Sequence, residues 1–224
     1  MTSNKMARSE ETRRRIYEVA LAAFREKGFE ETTMRAIAAG AGVATGAAYY
    51  YYESKEAIVM AFYAEAWASM QEGLGAAAEA GKKTPLEARL TRYVEVKLEA
   101  FAPNRGVLRA LLRNGADPAS PVSPFGRETA PMREADMVWL AKMVADQGLP
   151  KDLGPHVPAV LWLYQMGIVM FWLIDESAGQ ERTRELLRVS AKAVTLLLQL
   201  SKLPLTRPIR RTAVELIEIV RGVA

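Results

Sequence analysis

A chain of 224 residues, half of them hydrophobic, has room for one small and one larger domain and for a sizeable core. It contains no cysteine, which excludes disulfides, thiolate metal sites and cysteine nucleophiles and favours a reducing compartment. The formal charge of +4 is slight, and residues 1–60 nearly balance their lysines and arginines against glutamates, so any nucleic-acid contacts must be local and few. The charged first 30 residues hold no apolar run of signal-peptide type, and the expected location is the cytoplasm.

From Ser9 the pattern is helical. Ile16, Val19, Ala20, Ala23 and Phe24 recur at helix spacing, Ser9 suits an N-cap, and Glu10 and Glu11 suit the first turn. Gly28 fits the left-handed position after the last turn, with Phe29 closing back on Phe24 as in a Schellman stop. Ahead of this helix, Lys5 and Arg8 are either an arm for a minor groove or, the preferred reading, part of a solvated terminus. Thr32 or Thr33 caps a short second helix from Met34 to about Ala39, with Met34, Ile37 and Ala38 inward. Gly40-Ala41-Gly42-Val43 is a tight turn, and a third helix runs through four consecutive tyrosines. Ser54 caps a fourth helix with Ile58, Phe62 and Ala66 on one face, expected to reach about Glu72. Three short helical pieces around a glycine-bearing turn read as a helix-turn-helix in a small bundle.

The run Tyr49-Tyr50-Tyr51-Tyr52 cannot share one core, because successive residues of a helix step about 100° apart. If Ala48 and Tyr52 face inward, Tyr50 faces outward, Tyr49 and Tyr51 border the exposed side, and Thr45-Gly46-Ala47 is nearly bare backbone. Such a surface can approach another macromolecule closely. Lys55 opposes the helix dipole in the first turn of its helix, a penalty that an external phosphate would reverse. The plainer alternative is a solvated lysine and tyrosines packed in a core or protein interface.

Beyond Gly73 the composition shifts, and residues 75–84 are a candidate linker. Helices are expected near 85–102, 104–114, 132–147, 156–175 and 182–202, with a proline-rich loop between 117 and 131. No strand-type alternation appears, so the fold class is all-α. Val157 to Ile174 reaches the lower edge for a membrane span. Pro158, Gln165, Gly167 and flanks without a basic bias favour a buried core or subunit-interface helix instead. Residues 207–223 form a further amphipathic segment with Ile209, Ala213, Leu216, Ile217 and Val220 on one stripe. The single histidine, His156, and the adjacent Asp175 and Glu176, which do not face one another on a helix, offer no catalytic pair. No enzyme activity, cofactor or metal is expected.

The stretch Thr12–Ile58 resembles the N-terminal domain of the tetracycline-repressor (TetR) family of bacterial transcriptional regulators. The likeness rests on the helix ending in Gly28-Phe29, Thr32-Thr33, Ile37-Ala38, Ala41-Gly42-Val43, Gly46, Tyr49 and Ser54-Lys55-Glu56. It implies that residues 1–54 are a DNA-binding helix-turn-helix domain whose second helix, 45–51, lies in the major groove. Thr45, Gly46 and Ala47 would lie nearest the bases, and Tyr49, Tyr50 and Tyr51 would contact bases or phosphates. Thr33 and Lys55 would hold phosphates, and Tyr52 would take the aromatic core position. Ala44 departs from the capping serine common in the family, and no arginine or glutamine is available for bidentate base readout.

The resemblance further implies that residues 55–224 are a larger helical bundle for ligand binding and dimerisation, with 207–223 an extra helix. Helices 157–174 and 186–200 are the candidate homodimer interface. Trp139, Met143, Trp162, Gln165, Met166, Met170 and Trp172 are candidates for a pocket that takes a small hydrophobic or aromatic effector, although ordinary core packing suits each one singly. The 117–131 loop is a candidate rim or lid. Two functions follow: a regulator, expected to be a repressor, released from a palindromic double-stranded DNA operator by such an effector; or a DNA-binding regulator whose second domain only dimerises or binds a protein. No membrane partner is expected.

Overall fold

A computed structural model describes residues 2–78, 84–115 and 117–223. Among these residues every regular element is helical, and the chain divides into two compact units. The first comprises residues 1–68 and 101–129, the second residues 69–100 and 130–224. The division falls inside the fourth helix, and the first unit draws in a later helix and the proline-rich loop along with the helix-turn-helix.

The first unit opens with α1 (Thr2–Lys27), α2 (Met34–Gly40), α3 (Thr45–Tyr51) and α4 (Lys55–Ala78), whose residues to Ala68 belong here. α1 starts well before the expected N-cap at Ser9, so the stretch containing Arg8 is helical rather than an arm or a loose terminus. Its inward stripe is Ile16, Tyr17, Ala20, Leu21 and Phe24. α1 ends at Gly28, at φ 88°, where Gly28 N–H donates to the Phe24 carbonyl at 3.0 Å. This single bond is the αL stop rather than the expected Schellman pair, and the Phe24 and Phe29 rings close it at 5.3 Å. α2 does end in a Schellman motif: Val43 N–H bonds Ala38 O at 3.0 Å, Gly42 N–H bonds Ala39 O at 3.1 Å, and Gly42 sits at φ 66°. α1 and α2 pack closely enough that a Cβ on Gly40 would lie 2.8 Å from Val19 Cγ1.

α6 (Arg105–Gly115) packs on α1 and completes this unit with the loop 117–129. The loop is bonded into the unit, with Val122 and Ser123 buried and Tyr63 Oη donating to Val122 O at 3.0 Å. α4 outruns its expected end near Glu72 by more than a turn. Of the expected linker, residues 75–78 are helical and residues 79–83 lie outside the described residues.

The second unit contains α5 (Leu86–Phe101, to Ala100), α7 (Ala130–Val144), α8 (Val157–Ile174), α9 (Glu181–Leu200) and α10 (Arg207–Val223). α8 packs against α7 on one side and α9 on the other. By length and composition it could cross a membrane, but its burial is one-sided rather than all round. Leu161, Trp162, Gln165, Ile168, Val169 and Trp172 face inward, while Val160, Leu163 and Ile174 are exposed. α10 is tied down by Arg210, which donates to Asp152 Oδ2 and Ser201 O at 2.7 Å each. Its inward side is Arg210, Ala213, Val214 and Ile217; Ile209 and Leu216, expected on the packing stripe, are exposed, and the Val220 side chain lies outside the described residues.

The turn from α8 to α9 hangs on Asp175. Its carboxylate accepts from Thr183 Oγ1 and N at 2.6 and 2.9 Å, and from Ser177 Oγ and N at 2.7 and 3.0 Å. The Thr183 hydroxyl, seconded by the Ser177 donors, outweighs burial and holds this carboxyl well below the usual range. A depressed folded pKa stabilises fully above the unfolded value, near ~3.9, and that stabilisation is lost as pH falls further. We therefore expect Asp175→Asn to lower Tm at neutral pH and to flatten the decline of Tm below about pH 4. Thermal melts of both proteins across that range check it; parallel profiles would show that Asp175 is not an ionised cap.

Candidate nucleic-acid interface and buried polar site

α3 carries no side-chain cap, since Ala44 has none to offer, and its first turn is closed by backbone bonds to Ala44 O at 2.9 and 3.2 Å. Ala48 is fully buried and Tyr52 nearly so, which fixes the rotation of the helix. The opposite face is Thr45 and Gly46, both exposed, followed by Tyr49, half exposed, and Tyr50, 81% exposed. Ala47 is half-buried on the flank. Among the described residues, nothing lies within 4 Å of where a Gly46 Cβ would stand, so the approach to this turn is open.

Tyr51 takes a different part. It is half-buried, its hydroxyl lies 3.1 Å from Ser9 Oγ, and its ring meets that of Tyr50 edge-on at 5.1 Å. Tyr51 therefore braces α3 against α1 and supports the outward ring of Tyr50, and Ser9, in mid-helix, is its partner rather than a cap. Arg13 stands 5.5 Å over the Tyr52 ring, a second brace between the same helices. Thr33 is exposed and caps α2, accepting from Ala36 N–H at 3.2 Å, which leaves its hydroxyl proton available to an outside acceptor. Arg35, absent from the expected contacts, is exposed in the same turn of α2.

Lys55 has the local partner that its position in the first turn of α4 did not reveal. Its ammonium donates to Phe29 O at 2.8 Å and Glu30 O at 3.3 Å and stands 4.3 Å from the Phe29 ring centroid. Its side chain is 19% exposed. Lys55 thus neutralises carbonyls at the turn after α1, where a cation is favourable, and the premise that it has no partner within the fold is corrected. Charge-assisted bonds to two carbonyls and a ring contact predict that Lys55→Met destabilises the protein by about 1–3 kcal/mol. Ser9→Ala and Tyr51→Phe should each cost less, about 1 kcal/mol, and the double variant no more than either alone. Urea unfolding of the four variants and the unsubstituted protein measures both; additive losses at Ser9 and Tyr51 would show that their hydroxyls are not coupled.

The expected pocket residues lie on two helices of the second unit, α7 and α8, that pack on one another. Trp162 and Gln165 are buried on α8, Met166 and Met170 are half-buried there, and Trp139 and Met143 are half-buried on α7. The Arg133 guanidinium stands 5.8 Å from the Trp162 ring centroid. Gln165 is not a lone polar group in an apolar wall. Its Nε2 donates to Asp136 Oδ2 at 3.0 Å, the same oxygen receives Lys97 Nζ, and Tyr93 Oη donates to Oδ1 at 2.6 Å. All four side chains are buried. Burial pushes the Lys97 ammonium down against the pull of Asp136, and burial followed by Asp136 pushes the Tyr93 phenol far up. The sequence marks Gln165 as the polar residue of an apolar run but does not reveal its three partners. Their signal was a charge on an apolar stripe: Lys97 follows Leu90 and Tyr93 at i+7 and i+4, and Asp136 precedes Leu140 and Val144 at i+4 and i+8.

A short helix packed beneath an exposed second helix across a Schellman turn defines a helix-turn-helix protein, here continued by a helical second unit. The model described as bacterial regulatory proteins of the tetR family matches residues 16–62, and that described as the tetracyclin repressor-like C-terminal domain matches residues 89–214. The chain belongs to the TetR family of transcriptional regulators.

No curated protein sequence matches it. Among solved structures it is similar to the TetR transcriptional regulator from Nitrosomonas europaea ATCC 19718, with a TM-score of 0.61 and 18% identity over 81% of this chain and 96% of that one. It is similar to the fatty acid degradation regulator FadR from Bacillus halodurans, with a TM-score of 0.62 and 14% identity over 82% and 94% of the two chains. NalD, the secondary repressor of the MexAB-OprM multidrug efflux pump in Pseudomonas aeruginosa, gives a TM-score of 0.62 and 19% identity over 84% and 96%. At these identities the likeness is one of fold.

Proposed function

We propose that this regulator reads a palindromic operator as a homodimer, in the cytoplasm and without catalysis, and represses until a small effector bound in its second unit releases it. The observation that carries the reading is the outward face of α3: bare Thr45 and Gly46 followed by exposed Tyr49 and Tyr50. Small residues let backbone approach base edges, and phenols donate to phosphates or bases. Ala47 is suited to a thymine methyl group. Thr33 and Arg35 supply phosphate contacts from α2. Tyr51 and Lys55 enter the reading as supports, holding α3 and the turn that leads to Thr33.

Dimerisation is supported by a second exposed face, an apolar one. Val160, Leu163 and Ile174 on α8 and Leu186, Val189, Leu196, Leu197 and Leu200 on α9 are exposed at spacings that line up on each helix. Two copies meeting through these helices would form a four-helix contact about a two-fold axis, the symmetry that two half-sites require.

We expect Tyr49→Phe and Tyr50→Phe each to weaken operator binding about three- to tenfold. Selection from random duplexes at physiological salt, followed by titration of the recovered sequence, measures this. Recovery of no sequence by a folded dimer would sink the DNA-reading assignment. Leu197→Arg should yield a folded monomer by sedimentation with wild-type helicity, and an unshifted dimer would remove the α8–α9 face from the interface.

A further inference from the structure

We propose that the effector is an uncharged molecule with an apolar body and one hydroxyl or N–H group, which it donates to Gln165 Oε1. The inference rests on the effector reading above and adds the chemistry of the ligand. It begins from one atom: Gln165 is fully buried, and its Oε1 accepts no hydrogen bond from the described residues.

The orientation of the amide is fixed by chemistry. The group facing Asp136 Oδ2 at 3.0 Å must be a donor, because that oxygen already accepts from Lys97 and belongs to the carboxylate whose other oxygen accepts from Tyr93. Nε2 therefore points at Asp136 and Oε1 points away. Turning the amide over would set two oxygens against each other and strand the donor instead. In the orientation that Asp136 requires, the stranded atom is thus the acceptor, and what it lacks is a donor.

The rest of the cluster uses only the donor end of this glutamine, Nε2, which bonds Asp136. Lys97 and Asp136 are joined directly, and the Tyr93 hydroxyl satisfies the remaining carboxylate oxygen. An apolar residue at position 165 would leave that pair intact and would continue the apolar run of α8. The amide instead buries an acceptor that water would have satisfied, at a cost that a structural role alone does not return. A ligand donor does return it.

The charge state of the ligand follows from the same groups. Lys97 and Asp136 already cancel, and the Arg133 guanidinium stands at the Trp162 ring, only half-buried, so a second charge placed at Oε1 itself would stand uncompensated there. An ionised carboxylate fails twice: it has no proton to give and would repel Oε1. An ammonium can donate but brings its charge into a site already neutral. An alcohol, a phenol or an indole-type N–H fits, with its body against apolar neighbours such as Leu161 and Trp162, which flank Gln165 one turn away on α8.

The test uses the full-length protein and matched probes: 1-naphthol, 1-methoxynaphthalene and 1-naphthoate, and 1-octanol, methyl heptyl ether and octanoate. Binding is read by tryptophan fluorescence and by thermal shift, and release is read on the selected operator duplex. We expect at least one hydroxyl compound to bind about tenfold or more tightly than both its ether and its carboxylate. In Gln165→Met, a similar volume without the acceptor, that gap should close. The wild-type comparison needs no variant, so it stands even if Gln165→Met fails to fold. Equal binding of alcohol and ether, tighter binding of the carboxylate, or binding of no member of either set overturns the assignment. If the ethers or carboxylates release the operator as well as the alcohols do, the effector reading survives and this inference alone falls. Failure of the unliganded protein to select any duplex would instead remove the DNA reading on which it rests.

Discussion

The rotation of α3 about its own axis governs what this protein can present. Burial of Ala48 and Tyr52 sets that rotation, and the 100° step between residues then leaves no freedom to the others. Tyr50 must point away and Thr45 and Gly46 must lie bare. The remaining tyrosine at the margin is used to lock the arrangement, through Ser9 on α1. Four identical side chains in a row therefore have three distinct employments: core, brace and exposed face.

The same economy governs the charges nearby. The first unit holds only a slight positive excess in its helix-turn-helix segment, and several of those cations are engaged within the fold. Lys55 closes the carbonyl end of α1, Arg13 lies on Tyr52, and Arg14 joins Glu18 and Glu65 at 3.0 Å each. Arginines and lysines counted from the sequence overstate what remains for an outside anion. The second unit uses charge in the opposite setting, with Lys97 and Asp136 paired out of contact with water, where removing one member would strand the other.

Much of the fold was legible because its signals are local. Helical period, Ser54 and Thr33 as caps, and Gly28 and Gly42 as stops all act within a turn or two of their own residues, and the observed helices begin and end within a few residues of the expected ones. α1 and α4 are the exceptions, where good helix formers carry on past a plausible cap or linker. The outward tyrosines were legible for the same reason, since periodicity alone decides them. What could not be read were partnerships across long separations. Ser9 and Tyr51 are 42 residues apart, Lys55 and Phe29 are 26, and Asp136 lies 39 from Lys97 and 29 from Gln165. Lys55 shows the reason: a side chain with no partner in its own helix has one in the turn after α1. The paired charges of α5 and α7 were visible as interruptions of apolar stripes, but not as partners of one another.

Ala44 gives the recognition helix an uneven grip. At seven residues α3 is too short to hold its shape in isolation, and its restraints gather toward its C-terminal half, at Ala48, Tyr51 and Tyr52. The leading turn, Thr45 and Gly46, has neither a capping side chain nor a neighbour filling the space above it. Amide exchange in this segment should accordingly be graded, fastest at the leading turn and slowest beneath Tyr52. A helix built this way is stiff where it is anchored and compliant at its exposed leading turn, so its outward surface can adjust without disturbing the core beneath it.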